Sequence, residues 1–343
     1  MPYFNMDPYF KKIVFFLALI GVGLVSHVVY EVNSNPADAT SFAGKSLALA
    51  APDMSLDSST DSGSVLRENS SGASSGSLGK NDAINFNAVV QGNSSVPQSD
   101  TSVISGLQYK AALIADLQTG AISFGYNDSM KWPLASVTKL MTASLVMDNF
   151  SMDQKITITP DAFAADPNER TLRVGDVYAV SDLLKFLLLP SSNVAAEAFA
   201  DSYGRARFVD AMNARAATWG MVNTQYEDPS GLSAGNRSTA DDLLILAQRM
   251  YSGYPDILAI TRTTEAYATE LGSGDKTLVK SINAFAGEED FLGGKTGYTD
   301  IADGNLLSIF QYKGRPVIII ILGTDEADRF TNTEKLFDWF KQD

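Results

Sequence analysis

Three short stretches carry the chemistry of this chain, in this order: Ser136-Val-Thr-Lys139, Ser191-Ser-Asn193 and Lys295-Thr-Gly297. Together they supply a hydroxyl to act as nucleophile, an amine to act as base, a second hydroxyl to relay a proton, and a cationic ledge suited to a carboxylate. A serine hydroxyl is a weak nucleophile until a base removes its proton. The commoner partners are missing: the chain has no cysteine, and its one histidine, His27, lies in an apolar N-terminal stretch. Covalent acyl chemistry here must use lysine as the base. A lysine can serve only when burial or a neighbouring cation lowers its pKa.

Each stretch also has a plainer reading. Ser136 and Lys139 are three residues apart, so a helix puts both on one face. In a first helical turn, Ser136 would sit among free N–H groups at the positive dipole end. Alone, the pair is equally a helix-start serine and a surface lysine. Ser191 is placed to pass a proton from Lys139 to a leaving amine, and the Asn193 amide to hold Lys139 or a substrate backbone. Alone, Ser191 or Ser192 is equally a helix N-cap, worth about 1 kcal/mol. Lys295 lies in Phe291-Leu-Gly-Gly-Lys-Thr-Gly-Tyr-Thr299, an apolar strand whose glycines let a substrate backbone pair with its edge. Lys295, Thr296 and Thr299 suit a carboxylate, Lys295 suits the second cation that lowers Lys139, and the N–H groups of Tyr298 and Ser136 suit an oxyanion hole. A phosphate loop is the rival reading of Gly-Lys-Thr, but its spacing needs glycine where Glu289 stands.

The surrounding patterns predict the elements that must position these residues. Tyr109–Leu117 reads as a strand, Gln118–Gly120 as a turn and Ala121–Gly125 as the hairpin partner. Helical patterns follow at Ala135–Met147, Val180–Leu189, Asn193–Tyr203, Arg205–Trp219 and Thr239–Tyr251. Strands return at Thr277–Ile282, Phe291–Lys295, Leu306–Gln311 and Val317–Leu322, and Arg329–Lys341 is a closing helix. Strands at both ends with helices between predict an α+β fold: one antiparallel sheet flanked by helices, with an inserted helical lobe.

The chain is 343 residues long with a formal net charge of −14, and no basic run is long enough to neutralise a row of phosphates, which excludes a nucleic-acid partner. Residues 13–30 are almost continuously apolar, and at helical rise they reach roughly 27 Å, about the hydrocarbon thickness of a bilayer. Lys11 and Lys12 precede this stretch, which predicts a cytoplasmic segment 1–12, a single membrane span at 13–30 and export of the remainder. No A-x-A-like site follows soon after it, so the span reads as a retained anchor rather than a cleaved signal. Residues 31–105 are rich in Ser, Gly, Asp and Asn and read as a disordered tether with a root-mean-square span of about 45–50 Å. The folded domain is expected over 106–343, on the outer face of the membrane.

The three stretches in this order are far more specific than any one of them, and here the sequence resembles the penicillin-recognising serine hydrolases. Within them it is most similar to the low-molecular-weight D-alanyl-D-alanine carboxypeptidases, penicillin-binding proteins with a β-lactamase/D,D-peptidase-like fold. The resemblance spans Lys110 to Lys341. It includes Ala112-Leu-Ile-Ala-Asp-Leu-Gln-Thr-Gly120, Pro133-Leu-Ala-Ser-Val-Thr-Lys-Leu-Met-Thr142 and Met212-Asn-Ala-Arg-Ala-Ala-Thr-Trp-Gly-Met221. It continues through Asp228-Pro-Ser-Gly-Leu232, Ser238-Thr-Ala-Asp-Asp242, Gly294-Lys-Thr-Gly-Tyr-Thr299 and Arg329-Phe330. It implies Ser136 as the acylated nucleophile, Lys139 as base, Ser191 and Asn193 as relay and positioning pair, Lys295 and Thr296 on the anchoring strand, and Arg329 as partner of the substrate's terminal carboxylate. It implies peptidoglycan stem peptides as substrate, β-lactams as covalent inhibitors, and neither metal nor other cofactor. Ser192 and Val194 depart from the family, which usually has glycine or alanine and then aspartate there.

The same residues would serve a D,D-endopeptidase acting on a crosslink, although Arg329 leans toward a free carboxylate. A β-lactamase that deacylates through glutamate carries an E-x-x-L-N motif downstream of the second stretch, and none is present. A transpeptidase fits less well because the domain is short and has no partner module. A wall-binding protein with a vestigial site is opposed by the intact Ser136, Lys139, Ser191, Asn193 and Lys295.

Overall fold

The computed structural model describes residues 106–342. The expected cytoplasmic segment (1–12), membrane span (13–30) and tether (31–105) lie outside the described residues. Among the described residues, no helix is long and apolar enough to cross a membrane.

The domain opens with β1 (Ala111–Asp116), β2 (Ile122–Tyr126) and a two-residue β3 (Trp132–Pro133), followed by a 3-10 turn (Ala135–Thr138) that runs into α1 (Lys139–Asn149). Then come β4 (Lys155–Thr157), α2 (Pro160–Ala164), β5 (Val177–Ala179), α3 (Val180–Leu188), α4 (Asn193–Tyr203), α5 (Arg205–Trp219), β6 (Arg237–Ser238), α6 (Ala240–Gly253) and α7 (Pro255–Thr261). The hairpin of β7 (Glu265–Thr269) and β8 (Lys276–Lys280) leads to β9 (Phe291–Thr299), β10 (Asp303–Tyr312), β11 (Arg315–Thr324) and the closing α8 (Arg329–Gln342). The main sheet runs β2-β1-β11-β10-β9 and is antiparallel throughout. It is built from both ends of the domain with the helical lobe inserted between, as the strand pattern predicts.

The apolar run in β11 explains the layering. Ile318, Ile320 and Leu322 face one core together with Leu113 of β1 and Leu243 of α6. Val317, Ile319 and Ile321 face a second core with Leu336 and Phe337 of α8. Alternate residues point to opposite faces, so an unbroken apolar strand requires cover on both sides. Each buried Ile or Leu contributes about 1.5–3 kcal/mol relative to exposure.

Local chemistry sets the boundaries. Asp116 Oδ1 accepts from the N–H groups of Gln118 and Thr119 and from Thr119 Oγ1, at 2.9–3.0 Å, and this Asx-type turn folds β1 onto β2. The helix predicted over Ala135–Met147 differs from the one found. Ala135 has φ +45°, outside the right-handed helical region, so no α-helix runs through it; residues 135–138 form the 3-10 turn and α1 starts at Lys139. Strand β9 runs on to Thr299, beyond the expected end at Lys295, because pairing with β10 down to Thr299↔Asp303 overrides the weak strand preference of Gly297.

Candidate active site

Ser136 reaches the cleft on the 3-10 turn, not in the first turn of an α-helix. That geometry has three residues per turn, so positions i and i+3 eclipse. The Lys139 side chain therefore lies directly along Ser136, with Nζ 2.8 Å from Oγ. Lys139 Nζ also contacts Asn193 Oδ1 at 2.7 Å and the Ser230 carbonyl at 2.7 Å. Both oxygens are pure acceptors and must take N–H bonds. On a neutral amine the third tetrahedral direction, the lone pair, then points at the Ser136 hydroxyl. Asn193 is the first residue of α4, fixed there by Ser192, whose side chain caps that helix by accepting from Ala195 N at 3.1 Å. Ser192 is the cap and Ser191 is free of that duty.

Lys139 is fully buried, and burial lowers its pKa from 10.5 to about 7, against the negative charges of Asp228, Asp166 and Glu197. The cause is desolvation, not the neighbouring cation that the sequence offers in Lys295. Lys295 is itself 2% exposed and is held well below the usual lysine range by burial first, then by the charges of Lys139 and Arg329. The acylation rate is accordingly expected to rise about tenfold per pH unit below pH 7 and to level off above it, since only the neutral amine accepts a proton. Stopped-flow acylation by a penicillin from pH 5 to 9 measures this, and a flat profile would contradict the assignment of the base.

Lys295 lies beside the relay hydroxyl. Its Nζ donates to Ser191 Oγ at 2.9 Å and to the Thr296 carbonyl at 3.0 Å. The buried amine thus backs the relay hydroxyl with a hydrogen bond, as a buried polar group must find near partners. Ser191 has φ +66°, a left-handed conformation that aims its side chain at Lys295 while Ser192 turns into the helix. Thr296 is buried beside Lys295 on β9, and Tyr298 is exposed, with its hydroxyl 3.2 Å from Asp300 Oδ1. Thr299 Oγ1 accepts from Ala302 N at 3.1 Å, tightening the turn into β10. Arg329 is 8% exposed, pairs with Glu326 at 3.2 Å and leaves Nε buried without a partner.

β9 is the edge strand of the sheet, so among the described residues no strand pairs with its outer side. Gly297 lies where this edge passes the nucleophile: a Cβ there would stand 2.8 Å from the Leu134 carbonyl and 3.1 Å from Ser136 N. The turn that presents Ser136 is anchored on every side. Leu134 N donates to the Asn236 carbonyl at 2.8 Å, Asn236 Nδ2 to Thr138 Oγ1 at 3.1 Å, and the buried Asn305 to the Pro133 carbonyl at 2.8 Å. These bonds hold Ala135 in a conformation that costs of order 1–3 kcal/mol.

Several of these supports escape a reading of the motifs alone. Asp228 Oδ1 accepts from Ser230 N at 2.7 Å and Gly231 N at 2.5 Å, and Oδ2 from Ser233 N at 2.6 Å, which aims the Ser230 carbonyl at Lys139. The signal was present as Asp-Pro-Ser-Gly, a turn signature. Glu169 accepts from Ser192 Oγ at 3.0 Å and so joins the preceding loop to the Ser191–Asn193 stretch. Burial raises its pKa, but hydrogen bonds from Thr171, Ser192 and Arg170 prevail and lower it. No sequence spacing pointed to that contact, which closes a gap of more than twenty residues.

A hydroxyl backed by a desolvated lysine, a second hydroxyl backed by a second lysine, and a sheet edge beside both define a serine acyl-enzyme hydrolase. Comparison with known proteins agrees. The chain belongs to the D-alanyl-D-alanine carboxypeptidase family, peptidase S11, whose pattern matches residues 98–326, and it is a serine peptidase. It is 32% identical over 244 residues to a D-alanyl-D-alanine endopeptidase of Pseudomonas aeruginosa, covering 67% of this chain and 76% of that one. It is 28% identical over 239 residues to the D-alanyl-D-alanine carboxypeptidase DacF of Bacillus subtilis, covering 67% and 61% respectively. Among solved structures it is similar to penicillin-binding protein D2 of Listeria monocytogenes in its ampicillin-bound form, with TM-score 0.59 and 30% identity over 68% of this chain and 96% of that one.

Proposed function

We propose that this protein is a D-alanyl-D-alanine carboxypeptidase that removes the terminal D-alanine from peptidoglycan stem peptides through a Ser136 acyl-enzyme. The observation that carries this reading is the three-way setting of Lys139 Nζ, with two carbonyl acceptors at 2.7 Å and the Ser136 hydroxyl at 2.8 Å. Lys139 takes the Ser136 proton as Oγ bonds to the carbonyl carbon. The N–H groups of Ser136 and Tyr298 hold the oxyanion while the substrate backbone lies along β9. As the C–N bond breaks, the proton passes to the leaving amine through Ser191, steadied by Lys295. Water then hydrolyses the ester, with Lys139 again acting as base. Arg329, buried with an unmet donor, takes the terminal carboxylate, a role in which the planar guanidinium excels. β-Lactams acylate the same serine. The apolar run at 13–30 and the lysines before it support work on the outer face of the cytoplasmic membrane, tethered by the intervening residues.

A second reading, D,D-endopeptidase, is favoured by the first relatives, which carry that name. The test is mass spectrometry of products from a stem pentapeptide and from a crosslinked dimer, together with the adduct formed by a penicillin. Released D-alanine and a Ser136 adduct are expected. Cleavage of the dimer alone would move the assignment to endopeptidase, and the absence of both products and adduct would overturn it.

A further inference from the structure

Arg329 opens α8 as a buried guanidinium whose plane rests on Phe330, with Cζ 5.0 Å from the ring centroid. Its Nη1 meets Glu326 Oε1 at 3.2 Å, and its Nε is buried without a hydrogen-bond partner. A buried fork with an unmet donor is built for an anion that is not yet fully supplied. Glu326 supplies it from outside, its side chain 53% exposed.

The location matters. A Cβ on Gly304 would lie 3.1 Å from Glu326 Cα, and Gly304 pairs with Tyr298 across β10 and β9. Glu326 therefore stands at the end of the strand on which the substrate is expected to lie, holding its own carboxylate on Arg329. The exposed carboxylates of Asp300, Asp325 and Asp328 belong to the same turns. A substrate ending in a free carboxylate must displace Glu326 from Arg329 and enter this acidic rim. A substrate that continues as an amide leaves the pair intact. Glu326 is the exposed partner of this pair and can swing into solvent, so the pair biases the choice without closing the site.

We propose that Glu326 is a resident competitor for the carboxylate position on Arg329, and that it sets the preference between chain ends and amide-continued substrates. This rests on the assignment of Arg329 given above. The test is Glu326→Gln in the full chain, assayed on one D-Ala-D-Ala peptide as free acid and as C-terminal amide, and acylated by benzylpenicillin and by its methyl ester. The substitution removes the charge and keeps the shape at an exposed site, so folding is preserved. KM for the free acid is expected to fall about twofold to fivefold with kcat nearly unchanged, while the amide is unaffected. Benzylpenicillin should acylate faster by a similar factor and the ester should not. An unchanged acid-to-amide ratio, or equal shifts in both, overturns the proposal. Should neither peptide be cleaved, the carboxypeptidase reading fails while the acid and ester penicillins still decide the role of Glu326. Acylation by neither compound overturns both.

Discussion

Lys139→Ala should slow acylation of Ser136 by about a thousandfold or more, in the upper range for loss of a general base. The chain has no second base to substitute. Its one histidine is His27. Lys295, the second buried amine of the site, gives its protons to Ser191 and the Thr296 carbonyl rather than to Ser136 Oγ. Ser136→Ala should abolish labelling and turnover altogether, because the atom that forms the bond is gone. The two variants are best read by single-turnover acylation with a fluorescent penicillin, alongside thermal unfolding. Lys139→Ala deprives Asn193 Oδ1 and the Ser230 carbonyl of their buried donor, costing about 1–3 kcal/mol, yet it also removes a desolvated amine, so a folded protein is expected. Wild-type acylation in Lys139→Ala would place the base elsewhere and dismantle the mechanism.

Gly231→Ala is expected to be almost as damaging, through backbone rather than chemistry. Gly231 has φ +89°, and a Cβ there would lie 1.9 Å from the Ala135 carbonyl oxygen and 3.0 Å from Ser136 N. Neither neighbour can yield without moving the nucleophile, since both belong to the anchored 3-10 turn. Gly220 provides the control. It caps α5 at φ +87°, and a Cβ there would meet nothing within 4 Å. Gly220→Ala should cost only the left-handed backbone penalty, about 1–2 kcal/mol, and leave acylation within about twofold. Gly231→Ala carries the same penalty plus the clash, so acylation should fall by about a hundredfold or more, as a displacement of about 1 Å at a reacting atom does. Denaturant unfolding and acylation of both variants check this. If the two glycines behaved alike, the contact with Ala135 would not be what holds Ser136.

The candidate site was legible in the sequence to the extent that chemistry demands particular side chains. Ser136, Lys139, Ser191 and Asn193 were recognisable by type, spacing and order, and with no cysteine and a remote histidine lysine was the only base left. The layer order was legible too, because the apolar run of β11 can be buried only between two covered faces. Composition and periodicity did not determine which amine is committed to which oxygen. Lys295 suited a carboxylate by charge; only the tertiary structure placed its amine beside Ser191 and buried it from water. The positive φ at Ala135, the Ser230 carbonyl on Lys139 and the Glu169–Ser192 bond were likewise decided by tertiary structure, since each joins groups the chain keeps far apart or holds a conformation that local preference opposes. Local sequence specifies what a residue can do; burial and distance, which arise only when the β9 edge closes on the helical lobe, specify which of those things it does.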